Sequence, residues 1–145
     1  NVFHAVLACQ PTSLVDFQRR THAVESFQTL PESAALIAAH KRVNNILKKS
    51  GFVGQTEFSA NLLAEDAERE LASQIIEAEK IITPLYAEGF YTEALRILAE
   101  LKTSIDHFFD TVMVMAQDDA LRNNRLALLV KLRDLFCYVA DISLL

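Results

Sequence analysis

Helix-breaking residues are scarce in this chain, with three glycines and three prolines among 145 positions. That scarcity excludes a sheet protein with many tight turns, and a composition 51% hydrophobic and 23% charged excludes disorder. Tryptophan is absent, and cysteine occurs only at Cys9 and Cys137. This pair fits neither a metal-ligand spacing nor a disulfide framework, so two buried thiols in a cytoplasmic protein are expected. No apolar run reaches the roughly eighteen residues that a membrane-crossing helix needs. The opening Asn1-Val2-Phe3-His4 has neither an initiator methionine nor the layout of a signal peptide, and reads as part of a longer polypeptide.

Chemistry-bearing patterns are missing too. His4, His22, His40 and His107 stand apart from one another, with no pair at metal-ligand spacing, and neither a glycine-rich phosphate loop nor a GxSxG elbow occurs. The acid pairs Glu65–Asp66 and Asp118–Asp119 fall at expected helix starts, where negative charge suits the exposed amides. The run Glu65, Asp66, Glu68 and Glu70 reads as a solvated helix face. No catalytic residue, metal ligand or cofactor site is assigned within these residues.

What is present is helical periodicity. Residues 1–145 are long enough for a single domain with one core. A short helix over Val2–Cys9 should end at Pro11. Ser13 with Asp16 then opens a helix to about Gln28 as a capping box. Thr29 with Glu32 repeats that pattern, with Pro31 in the first turn, before a helix to about Lys49 whose inner stripe is Leu36, Ala39, Val43, Ile46 and Leu47. Gly51 should close it, and 52–63 reads as a loop with room for one helical turn. An acidic helix follows over about Glu65–Glu88, with Leu71, Ile75, Ala78, Ile82 and Leu85 inward and Pro84 expected to kink it or force a new start. From Phe90, the stripe Ala94, Ile97, Leu101, Ile105, Phe108, Val112 and Met115 predicts one long helix or two nearly collinear ones, with Ser104 as a possible break. Asp118 or Asp119 caps a last helix to about Val139, lined by Leu121, Leu128, Leu132, Leu135 and Phe136. The tail Asp141–Leu145 is too short to fold alone and must dock. The pattern predicts an all-α fold, a single bundle of about five to six helices.

Charge is unevenly distributed. The net is −5 overall, but +3 over residues 1–50, −10 over 51–119 and +2 over 120–145. Such polarity allows a nucleic-acid partner despite the overall sign, because the local field steers encounter. Two basic clusters stand out. Lys41, Asn45 and Lys48 share one helix face, with Arg42, Asn44 and Lys49 beside them, so the lysines suit phosphates and the two amides suit base edges. Arg122, Asn123, Asn124 and Arg125 form the second. Arg125 falls near the apolar side of its helix, so it either touches RNA or sits in a structural ion pair, for which Asp106, Asp110 and Asp118 are candidate partners.

The strings Ile105-Asp106-His107-Phe108-Phe109-Asp110-Thr111-Val112-Met113-Val114-Met115 and Leu121-Arg122-Asn123-Asn124-Arg125-Leu126-Ala127-Leu128-Leu129 resemble the DALR anticodon-binding domain. More narrowly they resemble its form at the C-terminal end of the beta subunits of bacterial tetrameric glycyl-tRNA synthetases. Pro11-Thr12-Ser13, Asp16-Phe17, Arg19-Arg20, Lys41-Arg42-Val43 and Val139-Ala140-Asp141-Ile142 carry the same likeness. The resemblance implies an all-helical bundle that receives the anticodon stem and loop of tRNA-Gly. It also implies an alpha-subunit partner that supplies the ATP- and Mg2+-dependent chemistry, and a location in the cytoplasm, with neither DNA nor membrane as partner. Carried onto this chain, it points to Lys41, Arg42, Asn45, Lys48, Arg122, Asn123 and Arg125 as tRNA-contacting candidates, with Asp106 and Asp110 in the family's acidic positions. The alternative is a helical subunit-interaction module without RNA contact.

Overall fold

A computed structural model describes residues 2–11, 13–54 and 57–145. Among these residues the chain forms seven α-helices and no strand: α1 (Val2–Leu7), α2 (Leu14–Gln28), α3 (Ser33–Ser50), α4 (Asp66–Ala87), α5 (Tyr91–Ala99), α6 (Lys102–Thr111) and α7 (Asp119–Cys137). Two single 3-10 turns, Ala60–Leu62 and Ile142–Leu144, complete the bundle. The expected Asn1, the Pro11–Ser13 stretch at Thr12, and the loop at Gln55 and Thr56 lie outside the described residues.

Local chemistry explains most of the boundaries. The Ser13 hydroxyl accepts from the Asp16 amide at 3.0 Å, and the Asp118 carboxylate accepts from the Leu121 amide at 3.0 Å, each satisfying an orphan donor of a first turn. Gly51, at φ 62°, ends α3 in the left-handed region that side chains avoid. At the end of α4, Phe90 N–H reaches Leu85 O at 2.8 Å and Gly89 N–H reaches Tyr86 O at 3.1 Å, the paired pattern of a Schellman motif.

Several expectations are corrected or narrowed. The Asp16 side chain does not complete a capping box but turns to Arg20 at 2.7 Å and to the Tyr91 hydroxyl. Thr29 donates back to Ser26 O at 2.6 Å, so Pro31 precedes α3 instead of sitting in its first turn. Helix α4 runs through Pro84 to Ala87 without a new start. The long stripe after Phe90 is two helices, but they part at Glu100–Leu101. Ser104 lies inside α6, where its buried hydroxyl donates to Gln74 of α4 at 2.7 Å. The second helix ends at Thr111, which leaves Met115 in an α6–α7 loop.

Helix α7 is the centre of the bundle. Every residue from Asn124 to Val130 is buried, so it is enclosed on all sides by α3, α4 and α5. The core also contains Phe27, Leu36, Leu71, Ile75, Ile105, Phe108 and Phe136. The tail docks as expected, with Ile142 fully buried, Asp141 N–H on Ala5 O at 2.9 Å, and the Asn44 amide on Ser143 Oγ at 2.8 Å. The two chain ends therefore meet. Their meeting brings Cys9 to Cys137, whose carbonyl accepts from the Cys9 thiol at 2.7 Å. Both thiols are free and half-buried, not fully buried as the sequence suggests. Burial raises both, Cys137 to about 12.

His40 occupies the α3–α7 seam, 2% exposed, with its ring 4.4 Å from that of Phe136 and no hydrogen bond on either nitrogen among the described residues. Burial lowers its pKa from 6.5 to about 4, against a weaker opposing pull from the Asp141 carboxylate. The folded state thus holds His40 neutral where the unfolded chain protonates it. Its stabilising effect is complete above pH 6.5 and is lost as pH falls toward 4. Between pH 7 and pH 4, urea unfolding should show about 3 kcal/mol more loss of stability in the wild type than in His40→Leu. Equal loss in the two proteins would show that His40 is accessible to protons when folded.

Candidate nucleic-acid interface

Helix α3 turns Leu36, Ala39, His40, Val43 and Leu47 into the core. A helix with that inner stripe must point the opposite half outward, and Lys41, Arg42, Asn45, Lys48 and Lys49 are all exposed. Asn45 lies nearly opposite the core, with cations on both sides of it. The Arg42 guanidinium rests 4.4 Å above the half-buried Phe109 ring of α6, which fixes its position on the surface. No ion pair forms at Lys41, Lys48 or Lys49 among the described residues, whereas Lys102, Lys131, Arg122 and Arg125 all have acidic partners. These three lysines keep their charge available. Lys48 and Lys49 also stand in the last turn, where the helix dipole favours cations.

Beyond Gly51 the chain folds back on itself. The Phe52 ring lies where a Cβ on Gly54 would come within 2.5 Å of it, so a side chain at Gly54 would require the ring to move. Val53 projects fully into solvent. Ser50–Gly54 and Arg122, Asn123 and Leu126 of α7 line one shallow surface depression. The end of α3 and the start of α7, seventy residues apart in sequence, thus meet, and Arg122 and Asn123 stand beside the segment that follows Lys48 and Lys49.

Asn123 is exposed at this junction. Its neighbour Asn124 is buried and clamps the preceding loop, accepting from Ser59 N–H at 2.6 Å and donating to Ser59 O at 3.1 Å. Arg122 is half-buried. It pairs with Asp119 at 2.6 Å and donates to Ala116 O at 3.3 Å, so part of its capacity goes to the α6–α7 loop.

Arg125 is enclosed, only 5% exposed. It donates to Glu68 Oε1 at 2.7 Å and to Met113 O at 2.6 Å, with Glu65 Oε2 at 3.6 Å. The structure therefore places Arg125 inside the bundle and away from a surface ligand. Its acids are also different from those expected. Asp106 pairs with Lys102 four residues earlier on its own helix, Asp110 is exposed near the end of α6, and Asp118 caps α7. Glu68 is fully buried, so the acidic run on α4 is not wholly a solvated face. Glu68 Oε1 accepts from the Glu65 amide as well, at 3.2 Å, completing the capping box of α4.

One organising residue carries little sequence signal. Arg20 of α2 is buried, donating to Asp16 and to the Tyr138 and Val139 carbonyls at the end of α7, under the Tyr91 ring. It satisfies carbonyls that a helix end leaves unpaired. Burial opposes ionisation of Asp16, yet the Tyr91 hydroxyl and Arg20 together hold its carboxyl below the usual range. The only hint was an i, i+4 spacing of opposite charges. On the opposite flank, Lys131 is held by Glu79 at 2.8 Å and Glu57 at 3.7 Å. Among the described residues no group of three or more His, Cys, Asp and Glu is arranged to hold a metal ion.

A family model described as the DALR anticodon binding domain matches residues 36–138. Over 145 residues the chain is 53% identical to the glycine–tRNA ligase beta subunit of Edwardsiella ictaluri and 52% identical to that of Shewanella baltica. It is 50% identical to that of Pseudoalteromonas translucida. In each case all of this chain is covered but 21% of the relative, so it spans about a fifth of their length.

The Arg125–Glu68 pair makes a separable prediction. Arg125→Ala leaves a buried carboxylate without its counter-charge and should lower unfolding free energy by about 3–5 kcal/mol, read from urea titration. Arg125→Met combined with Glu68→Leu removes both charges and should recover most of that loss. If Arg125→Ala lowers RNA affinity with unchanged stability, Arg125 is a surface contact and its structural assignment is wrong.

Proposed function

Since this chain belongs to the DALR anticodon binding domain family, we propose that it is the tRNA-recognition module of a glycine–tRNA ligase. Its ligand in this reading is the anticodon stem and loop of tRNA-Gly. One observation carries the proposal: α3 presents Lys41, Arg42, Lys48 and Lys49 on its exposed face, and its end meets Arg122 and Asn123 of α7, in a chain whose net charge is −5. Lys41, Lys48 and Lys49 would displace counterions condensed on a phosphate backbone. Arg42, held by the Phe109 ring, and Arg122, held by Asp119 and the Ala116 carbonyl, present pre-oriented guanidinium groups for further phosphate oxygens. Asn45 and Asn123 offer paired donors and acceptors to unstacked bases, as single-stranded RNA recognition requires.

The rest follows from the division of labour in a synthetase. Activation of glycine with ATP and Mg2+ belongs in this reading to the alpha subunit, and the setting is the cytoplasm. The domain contributes by position: fixing the anticodon arm brings the distant acceptor end to the transfer site, so the effect is on tRNA use. Arg125 and Asn124 support this surface from behind and do not touch RNA.

The test is tRNA binding by the complete ligase at several salt concentrations, with tRNAs that differ only in the anticodon. Lys41→Ala with Lys48→Ala should lower affinity about tenfold for every anticodon and reduce the slope of log affinity against log salt by about 2. Asn45→Ala or Asn123→Ala should cost roughly tenfold only with the matching anticodon. Unchanged binding in all these variants would remove α3 and the start of α7 from the interface.

A further inference from the structure

The first charged residue of the chain is Asp16. Across residues 2–15 the surface of α1 and of the first turn of α2 carries no Lys, Arg, Asp or Glu, yet Phe3, Leu7, Leu14 and Val15 are exposed, Leu14 by 73%. These are four of the twelve exposed large apolar side chains found among the described residues, gathered within thirteen positions. Phe3, Leu7 and Leu14 form one surface, with Val15 next to Leu14 in sequence. Phe3 of α1 meets Phe17 of α2 edge-on with ring centroids 5.5 Å apart, and Leu7, Pro11, Leu14 and Phe17 line a common shallow depression.

This surface is rigidly backed. The inner side of α1 is fully buried at Ala5 and Val6, and Ala5 O accepts the Asp141 amide from the tail. A six-residue helix has little stability alone. Here it is fixed to the body of the domain while its outer apolar side chains remain bare. Contiguous exposed apolar area of this kind marks a contact surface. It cannot serve RNA phosphates, having no cation, and it adjoins the Cys137 end of α7. Arg122 is fifteen residues away along that helix, roughly 22 Å at 1.5 Å per residue.

We propose that the uncharged α1–α2 face is the seat on which another domain of the same longer polypeptide packs. The relatives of this chain are about five times its length, so a domain of this kind works beside several hundred further residues. An apolar, charge-free face suits such a permanent contact within one chain. The arrangement would anchor the domain at one end of α7 and leave the Arg122–Asn123 end of the basic surface free. It stands on the apolar face and on the length of the relatives, and not on the tRNA reading, so unchanged tRNA binding in the α3 variants would leave it intact.

The test is thiol labelling in the full polypeptide that carries this domain, without its partner subunit and with the labelling of native cysteines subtracted. Leu14→Cys and Asn45→Cys place thiols at two positions that are both exposed in the domain itself. With the face covered, Leu14→Cys should react with a maleimide at least tenfold more slowly than Asn45→Cys. Adding Phe3→Glu and Val15→Glu to Leu14→Cys should restore the fast rate, with the helical circular dichroism signal retained. Equal rates in the full polypeptide would overturn the proposal. So would protection that disappears on dilution, which assigns the face to a second copy, or protection that arises only when the partner subunit is added.

Discussion

The buried contact between Glu68 and Arg125 constrains three separate parts of the chain at once. Glu68 Oε1 accepts from Arg125 and also from the amide that begins α4, while Arg125 holds the Met113 carbonyl of the α6–α7 loop. One carboxylate oxygen thus sets where α4 starts, where α7 lies against it, and how the loop between α6 and α7 returns. Such a pair is weak evidence for net stability, since removing two charges from water costs about as much as their attraction returns. Its value lies in specificity. An alternative packing of α4 on α7 would strand a charge in a dry interior.

The exposed chemistry depends on that frame. Arg122 sits one turn before Arg125, so orienting α7 through its buried arginine presents Arg122 and Asn123 to the end of α3. At the other end of α7, Arg20 takes the final carbonyls and ties them to α2 and Tyr91. Two buried arginines therefore hold the central helix near its two ends, and the free cations stand outside on α3. Acidic α4 residues occupy another flank, where Glu79 restrains Lys131 and Glu70 meets Ser104 and His107 of α6.

Much of this architecture is legible in the sequence because local rules govern it. Ser13, Gly51, Gly89 and Asp118 act at the boundaries their chemistry predicts, and the inner stripes of α3 and α4 follow helical period. The failures have a common cause. The break at Glu100–Leu101 contains no glycine or proline, and it reflects packing of both α5 and α6 on α4. Glu68 lies within a run of acids that looks solvated, and only the approach of α7, some fifty-seven positions later, reveals its role. Asp106 and Asp110 look like partners for Arg125 because they are nearer in sequence, but α6 turns them toward Lys102 and solvent. The exposed cations of α3 are legible because an amphipathic helix declares its outer face. Their meeting with Arg122 and Asn123 is a matter of tertiary packing, which periodicity does not encode.

The central claim is that RNA lies across the outer face of α3 and the start of α7. Hydrogen–deuterium exchange of the complete ligase, with and without tRNA-Gly, tests it directly. Slowed exchange should concentrate in residues 41–54 and 119–126, with the acidic face of α4 unchanged. Protection centred on α4, with α3 unaffected, would contradict the account.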